Sequence, residues 1–225
     1  SSDLNPSLKL DLTKIKVNKE TLSNLNNLGS LEYFGDLEKV SNYKFSKFKN
    51  IINLNFKPLF FNGGLIFFDN KGSIIKYSNN SKVIWKKNYY SKYEKKLNPK
   101  ISFALKNENL IIADNVSKMF LLNFSNGDLI WSNNNIYPLN SDIKIFGNKF
   151  FLVDYENTLR CFDIRDGSEC WNVKTENSFT MSNTKNSLII TNDLVIFSNS
   201  IGDITAVDIP TGSIVWQLPT QSSQI

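Results

Sequence analysis

A chain of 225 residues, 41% apolar and 21% charged, has ample material for one large core or two small ones, which excludes pervasive disorder, collagen and a disulfide-dense mini-protein. The absence of histidine removes Ser-His-Asp and Cys-His catalysis, HExxH zinc sites and any metal site built on imidazole. The formal charge of +5 rests on 24 lysines and two arginines, Arg160 and Arg165, so sequence-specific nucleic-acid binding, which favours the arginine fork, is not expected.

The chain also holds 32 asparagines against three alanines. Lys, Asn, Ile and Phe share A/T-rich codons, and genome base composition accounts for much of the basic bias. No apolar run approaches the roughly 18 residues of a membrane span. The longest are short, such as Pro58 to Phe61 and Leu65 to Phe68.

Residues 1–50 are polar with scattered Leu and read as an irregular segment. The chain opens Ser1-Ser2-Asp3, so either a targeting segment has been removed or the sequence was cut from a longer one. Alternation between Val40 and Ile52 (Tyr43, Phe45, Phe48) marks a strand that could help to close a ring. From there to the end, residues 51–225 read as short strands. Leu54 to Phe61 is followed by a run ending at Asp69, by Ser73 to Tyr77, and by a strand bearing Trp85. Ile101 to Leu105 precedes a run ending at Asp114, then Lys118 to Phe124 and the strand of Trp131. Ile143 to Phe146, a run ending at Asp154, Thr158 to Ile164 and the strand of Trp171 repeat the pattern. Ser187 to Thr191, a run ending at Asn199, Asp203 to Ile209 and the strand of Trp216 complete it.

All four tryptophans thus occupy one position of a repeat, with spacings of 46, 40 and 45 residues. Three copies carry Gly-x-x-x-Trp, through Gly127, Gly167 and Gly212; the first has Lys82 instead and a turn one residue shorter. Glycine suits such turns because it takes positive φ without a Cβ clash. Four strands per 40–46 residues is the blade of a β-propeller, and the expected blades are about 54–92, 99–135, 141–175 and 186–220. Runs apolar on both faces, as in Leu188 to Ile190, suit sheets packed between neighbours on each side. The tryptophans are expected to be structural anchors, each burying a large ring and reaching a carbonyl of the next blade with its indole N–H. Four blades can close a ring or form part of a larger one.

The phrase Ala206-Val-Asp208-Ile-Pro-Thr-Gly212-Ser-Ile-Val-Trp216 resembles the repeat of pyrroloquinoline-quinone-type propellers, and Cys161-Phe-Asp163-Ile-Arg-Asp-Gly167-Ser-Glu-Cys-Trp171 is similar to it. Within that class, Asn199-Ser-Ile-Gly202-Asp-Ile-Thr-Ala206-Val-Asp208 with Trp216-Gln-Leu-Pro-Thr looks most like the lipoproteins of outer-membrane β-barrel assembly. The resemblance spans about Asn53 to Ile225. It implies an eight-bladed ring of which this chain supplies half, and a non-enzymatic periplasmic scaffold docked on the periplasmic domains of the barrel-inserting subunit. Membrane association would come only through a lipid anchor upstream. The alternatives are a propeller interaction module of another pathway, or a fragment of a quinone-dependent dehydrogenase. The dehydrogenases of this class resemble a ring with central Ca²⁺ and adjacent cysteines, whereas Cys161 and Cys170 are nine residues apart. No catalytic, cofactor-binding or metal-binding residue is assigned, and no cofactor is expected.

Three further features stand out. If Ile164 to Gly167 is a four-residue loop, Asp163 faces Ser168 and Cys161 faces Cys170, within disulfide reach; the other reading is two free thiols acting as small apolar side chains. Lys82 to Lys100 holds seven lysines, one acid and several tyrosines, and reads as a solvated inter-blade loop. Lysines interleaved with aromatics also suit single-stranded nucleic acid or anionic headgroups. Phe179 and Met181 are two large apolar residues on the otherwise polar segment Asn172 to Asn186, and are candidate partner-binding anchors. The resemblance adds that a Leu-x-Leu-Arg segment in a comparable loop of the family docks the partner; Ser182 stands here in place of the Arg.

Overall fold

The computed structural model describes residues 42–43, 58–69, 72–177, 184–191 and 193–220. They form four sheets of four antiparallel strands, each in sequence order. The first blade is β1 (Leu59–Phe61), β2 (Gly64–Phe68), β3 (Ile74–Ser78) and β4 (Val83–Lys87). A short helix, α1 (Lys92–Lys96), leads to the second blade of β5 (Ile101–Lys106), β6 (Asn109–Asp114), β7 (Lys118–Asn123) and β8 (Leu129–Asn134). The third comprises β9 (Lys144–Phe146), β10 (Lys149–Val153), β11 (Thr158–Asp163) and β12 (Glu169–Lys174). The fourth comprises β13 (Leu188–Ile190), β14 (Leu194–Ser198), β15 (Ile204–Asp208) and β16 (Ile214–Leu218). These are propeller blades.

The second and third strands are nearly continuous apolar runs because both faces are covered. Ile66 and Phe68 pack with Leu110, Ile112, Phe120 and Leu122 between the first two blades. Ile111, Met119 and Leu121 pack against Phe150, Leu152 and Phe162 between the second and third. Phe151, Leu159 and Cys161 meet Val195, Phe197 and Val207 between the third and fourth. The alternation of strand side chains therefore sends successive residues into two different cores. On the outer face of the first blade, Leu65, Phe67, Ile75 and Tyr77 are buried, with Tyr43 edge-on to Tyr77 at 5.4 Å. Asn42 donates its N–H to Ser81 Oγ at 3.0 Å beside this contact. Neither Asn42 nor Tyr43 lies in a strand; the rest of the Val40 to Ile52 alternation lies outside the described residues.

Every blade carries the same irregularity between its third and fourth strands. The register shifts at Lys76/Tyr77, Leu121/Leu122, Cys161/Phe162 and Ala206/Val207. The extra residue is the one before each tryptophan: Ile84, Ile130, Cys170 and Val215. Such a bulge re-aims the side chains that follow it, and in the first three blades the indole that follows it reaches the next blade. The expected opposition of Cys161 and Cys170 is corrected by it, since Cys161 pairs with Trp171. The turn itself is as the spacing implied, with Asp163 N–H donating to Ser168 O at 2.9 Å.

One element departs from the all-strand pattern. Within Lys82 to Lys100, read as a solvated loop, β4 takes the first part and α1 the second. The helix is short and amphipathic periodicity cannot announce it. Its start is a capping box: Ser91 Oγ accepts the Glu94 N–H, and Glu94 Oε2 accepts the Ser91 N–H at 2.7 Å.

Candidate docking face

The joints between blades are built from the repeated Trp and Gly. Trp85 Nε1 donates to Phe124 O at 3.0 Å, Trp131 Nε1 to Ile164 O at 2.8 Å, and Trp171 Nε1 to Ile209 O at 3.1 Å. Each acceptor lies three residues before the glycine of the following blade. A Cβ on Gly127 would stand 2.7 Å from Trp85, one on Gly167 2.9 Å from Trp131, and one on Gly212 2.7 Å from Trp171. The glycines have φ of +74°, +70° and +75° and so serve both the turn and the indole that lies on it. Trp216 is 41% exposed, and no carbonyl among the described residues accepts its indole N–H. In the first blade the residue paired with the tryptophan is Lys76, where the later blades have Leu121, Cys161 and Ala206. Its Nζ donates to Phe124 O at 3.0 Å and lies 3.4 Å from the Phe124 ring centroid, and burial lowers its pKa.

With the faces between neighbouring blades committed to these joints, the ends of the propeller are the surfaces rich in loops that recognition commonly uses. One end carries the turns between second and third strands together with the connections that lead from each outermost strand to the next blade. Its turns share a device: Asp69, Asp114, Asp154 and Asn199 each accept the N–H four residues on through Oδ1, at 2.8, 2.8, 3.1 and 2.9 Å. These side chains are all buried, and the second polar atoms of Asp114, Asp154 and Asn199 make hydrogen bonds to blade-specific partners. Asp114 Oδ2 accepts Tyr90 Oη–H at 2.6 Å, and burial raises the Asp114 pKa against the pull of its donors. The Tyr90 hydroxyl is pushed far up by burial and by that carboxylate. Asp154 Oδ2 accepts Arg160 Nε at 2.7 Å, and Arg160 Nη1 reaches Glu169 at 2.6 Å.

The residue three places after each of these, Gly72, Ser117, Asn157 or Gly202, has positive φ. Asn157 tolerates φ +54° as asparagine often does, and is fully buried. Its Nδ2 donates to Glu176 O at 2.8 Å and Ser200 Oγ at 2.7 Å, while its Oδ1 accepts Asn186 Nδ2 at 3.1 Å and Ser200 N–H at 3.0 Å. Asn157 therefore ties both feet of the connection from Trp171 to the fourth blade, and the fourth blade's own turn, to the third. Nothing in the sequence distinguishes it from the other 31 asparagines except its place in the repeat, where glycine is the alternative.

Phe179 and Met181 lie outside the described residues. The two cysteines are free thiols, Cys161 buried and Cys170 exposed. Burial, and then the neighbouring Cys170 sulfur, push the Cys161 thiol up. Of the seven lysines in 82–100, Lys87 pairs with Asp128 at 2.7 Å and Lys86 approaches Asp69 at 3.8 Å. The single acid, Glu94, pairs with Lys118 at 2.7 Å, and that cation with the Ser91 N–H holds its carboxyl down at about 2. Among the described residues no cluster of three or more acidic or sulfur side chains could hold a metal, and no helix is long and apolar enough to cross a membrane.

A family model described as outer membrane protein assembly factor BamB matches residues 70–225. The crystal structure of BamB from Moraxella catarrhalis superposes with a TM-score of 0.62 at 19% identity, covering 72% of this chain and 47% of that one. The chain thus spans about half the length of that relative. The computationally designed Ika4 protein gives a TM-score of 0.60 at 8% identity, over 77% of this chain and 99% of its own. The designed Ika8 protein gives 0.58 at 12% identity, over 73% and 48%. No curated protein matches the sequence.

Proposed function

The chain belongs to the family of the outer membrane protein assembly factor BamB, and from that premise we propose that it is a non-enzymatic, protein-binding scaffold in the assembly of outer-membrane β-barrel proteins. The observation that carries the proposal is the family match over 70–225. The architecture supports it. Three blade joints consume the sheet faces between blades, and the connections at one end are available as recognition elements. The proposed location is the periplasm, at the outer membrane, and the proposed partner is the set of periplasmic domains of the barrel-inserting subunit.

The connection between the third and fourth blades is the proposed contact, with Phe179 and Met181 as its apolar anchors. Its feet are fixed by buried Asn157 and Asn186, which lowers the entropy that docking must overcome. The test is the double variant Phe179→Ala with Met181→Ala, titrated against the purified periplasmic domains. Two anchors of a central hot spot are worth about 2 kcal/mol or more, a loss of at least thirtyfold in affinity at unchanged melting temperature. Unchanged affinity of a stable variant would remove this loop from the contact. No binding by the parent chain, or fractionation of the protein away from the periplasm, would overturn the wider proposal.

A further inference from the structure

We infer that the rim formed by α1 and the adjoining connection is a docking surface for anionic phospholipid bilayers. The rim faces the end of the propeller on which the connections lie. Lys92, Lys96 and Lys100 are exposed, and no acidic side chain among the described residues pairs with any of them. Lys92 and Lys96 are one helical turn apart and so are Tyr93 and Leu97, which places a basic pair beside an apolar pair. Tyr93 is 71% exposed and Leu97 45%. The next connection adds Ile136, 72% exposed, and Tyr137, 39% exposed.

Both connections brace against one turn. Tyr90 Oη donates to Asp114 Oδ2 at 2.6 Å from one side, and Leu139 N–H donates to Asp114 O at 3.1 Å from the other. The only acid in 82–100, Glu94, is taken up by Lys118 and by its capping role. Two acids elsewhere on this end are matched, Asp142 with Lys185 and Glu156 with Lys174, each at 3.3 Å, while exposed Glu176 lies beyond them on the connection to the fourth blade.

The chemistry selects a bilayer over an acidic protein segment. Protein hot spots draw on Arg and Trp. Both arginines of this chain are engaged elsewhere, Arg160 with Asp154 and Glu169, and Arg165 with Asp163. What the rim offers instead is lysine, a point charge on a flexible stem that follows a diffuse layer of headgroup charge. Tyrosine and leucine beside it can enter the headgroup–acyl boundary. The contact is separate from the proposed partner loop and holds whether or not that loop binds protein.

Flotation of the full chain with vesicles of phosphatidylglycerol in phosphatidylethanolamine tests it, against vesicles of phosphatidylethanolamine and phosphatidylcholine alone. Binding to the anionic vesicles that weakens with salt is expected. Lys92→Gln with Lys96→Gln should lower partitioning about thirtyfold, each lysine near an anionic surface being worth about fivefold. Lys82→Gln with Lys106→Gln removes the same charge at the opposite end and should leave binding within a factor of two. Tyr93→Ser with Leu97→Ser should weaken binding at high salt, where the apolar contribution dominates. Equal binding to both vesicle types, equal loss in the two lysine variants, or retention by a single-stranded oligonucleotide or an acidic peptide with none by vesicles would each overturn the inference.

Discussion

Replacing Gly127 with alanine tests the blade joint directly. The new Cβ would stand 2.7 Å from Cδ2 and Cε3 of Trp85 and 3.0 Å from Lys87 Cγ. Ordinary contact would require the indole to retreat by about 0.7 Å or more, an overpacking cost of about 1–3 kcal/mol. The left-handed φ of +74° adds about 1 kcal/mol for a residue with a Cβ. Retreat also stretches the 3.0 Å bond from Trp85 Nε1 to Phe124 O, worth about 1 kcal/mol. The expected loss is about 3–5 kcal/mol. Gly147 is the control, since it has φ +58° but nothing within 4 Å of its Cβ position, and alanine there should cost only the conformational contribution of about 1 kcal/mol. Urea unfolding followed by tryptophan fluorescence reads both. In a Trp85→Ala background the cost of Gly127→Ala should fall by about 2 kcal/mol or more towards that at Gly147, because the indole clash is gone and only the Lys87 stem has to shift. Equal costs at Gly127 and Gly147, or strict additivity with Trp85→Ala, would refute the account of the joint.

Asn157→Ala leaves the Glu176 carbonyl, half-buried Ser200 and buried Asn186 without their partner, and should cost about 2–4 kcal/mol in denaturant unfolding; a change under about 0.5 kcal/mol would deny it a keystone role. Cys170 should alkylate rapidly in the native protein and Cys161 only after unfolding, read by intact mass; early modification of Cys161 would contradict its burial. Glu94 has a folded pKa of about 2 against 4.5 when unpaired, so its contribution is complete above about pH 4.5 and is lost as the pH falls towards 2. Hydrogen exchange at the amides of α1 should therefore accelerate over that window, and a Glu94→Gln variant should show no such pH dependence; an identical acid transition in the variant would assign it to another group.

The repeat made the blade legible in the sequence. Tryptophans at intervals of 46, 40 and 45 residues, apolar runs ending at Asp or Asn, and Asn-Gly or Asp-Gly turns located the strands closely, because strand length and turn chemistry are local properties. Ile101 to Leu105 became Ile101–Lys106, and Thr158 to Ile164 became Thr158–Asp163. The helix α1 was missed because five residues show no periodicity, although Ser91 and Glu94 spell its cap. What surrounds a residue was decided only by the tertiary structure. The bulge before each tryptophan arises where the ladder must twist to bring the indole onto the next blade, and it moved Cys170 out of register with Cys161. The joint itself depends on a glycine about 40 residues away, in Gly127 beneath Trp85, and no local pattern shows that distance closing to contact. Asn157 is the sharpest case. Its conformation follows from its place in a turn, but its hold on three segments comes from polar groups of Glu176, Ser200 and Asn186 that only the packed third and fourth blades bring within reach.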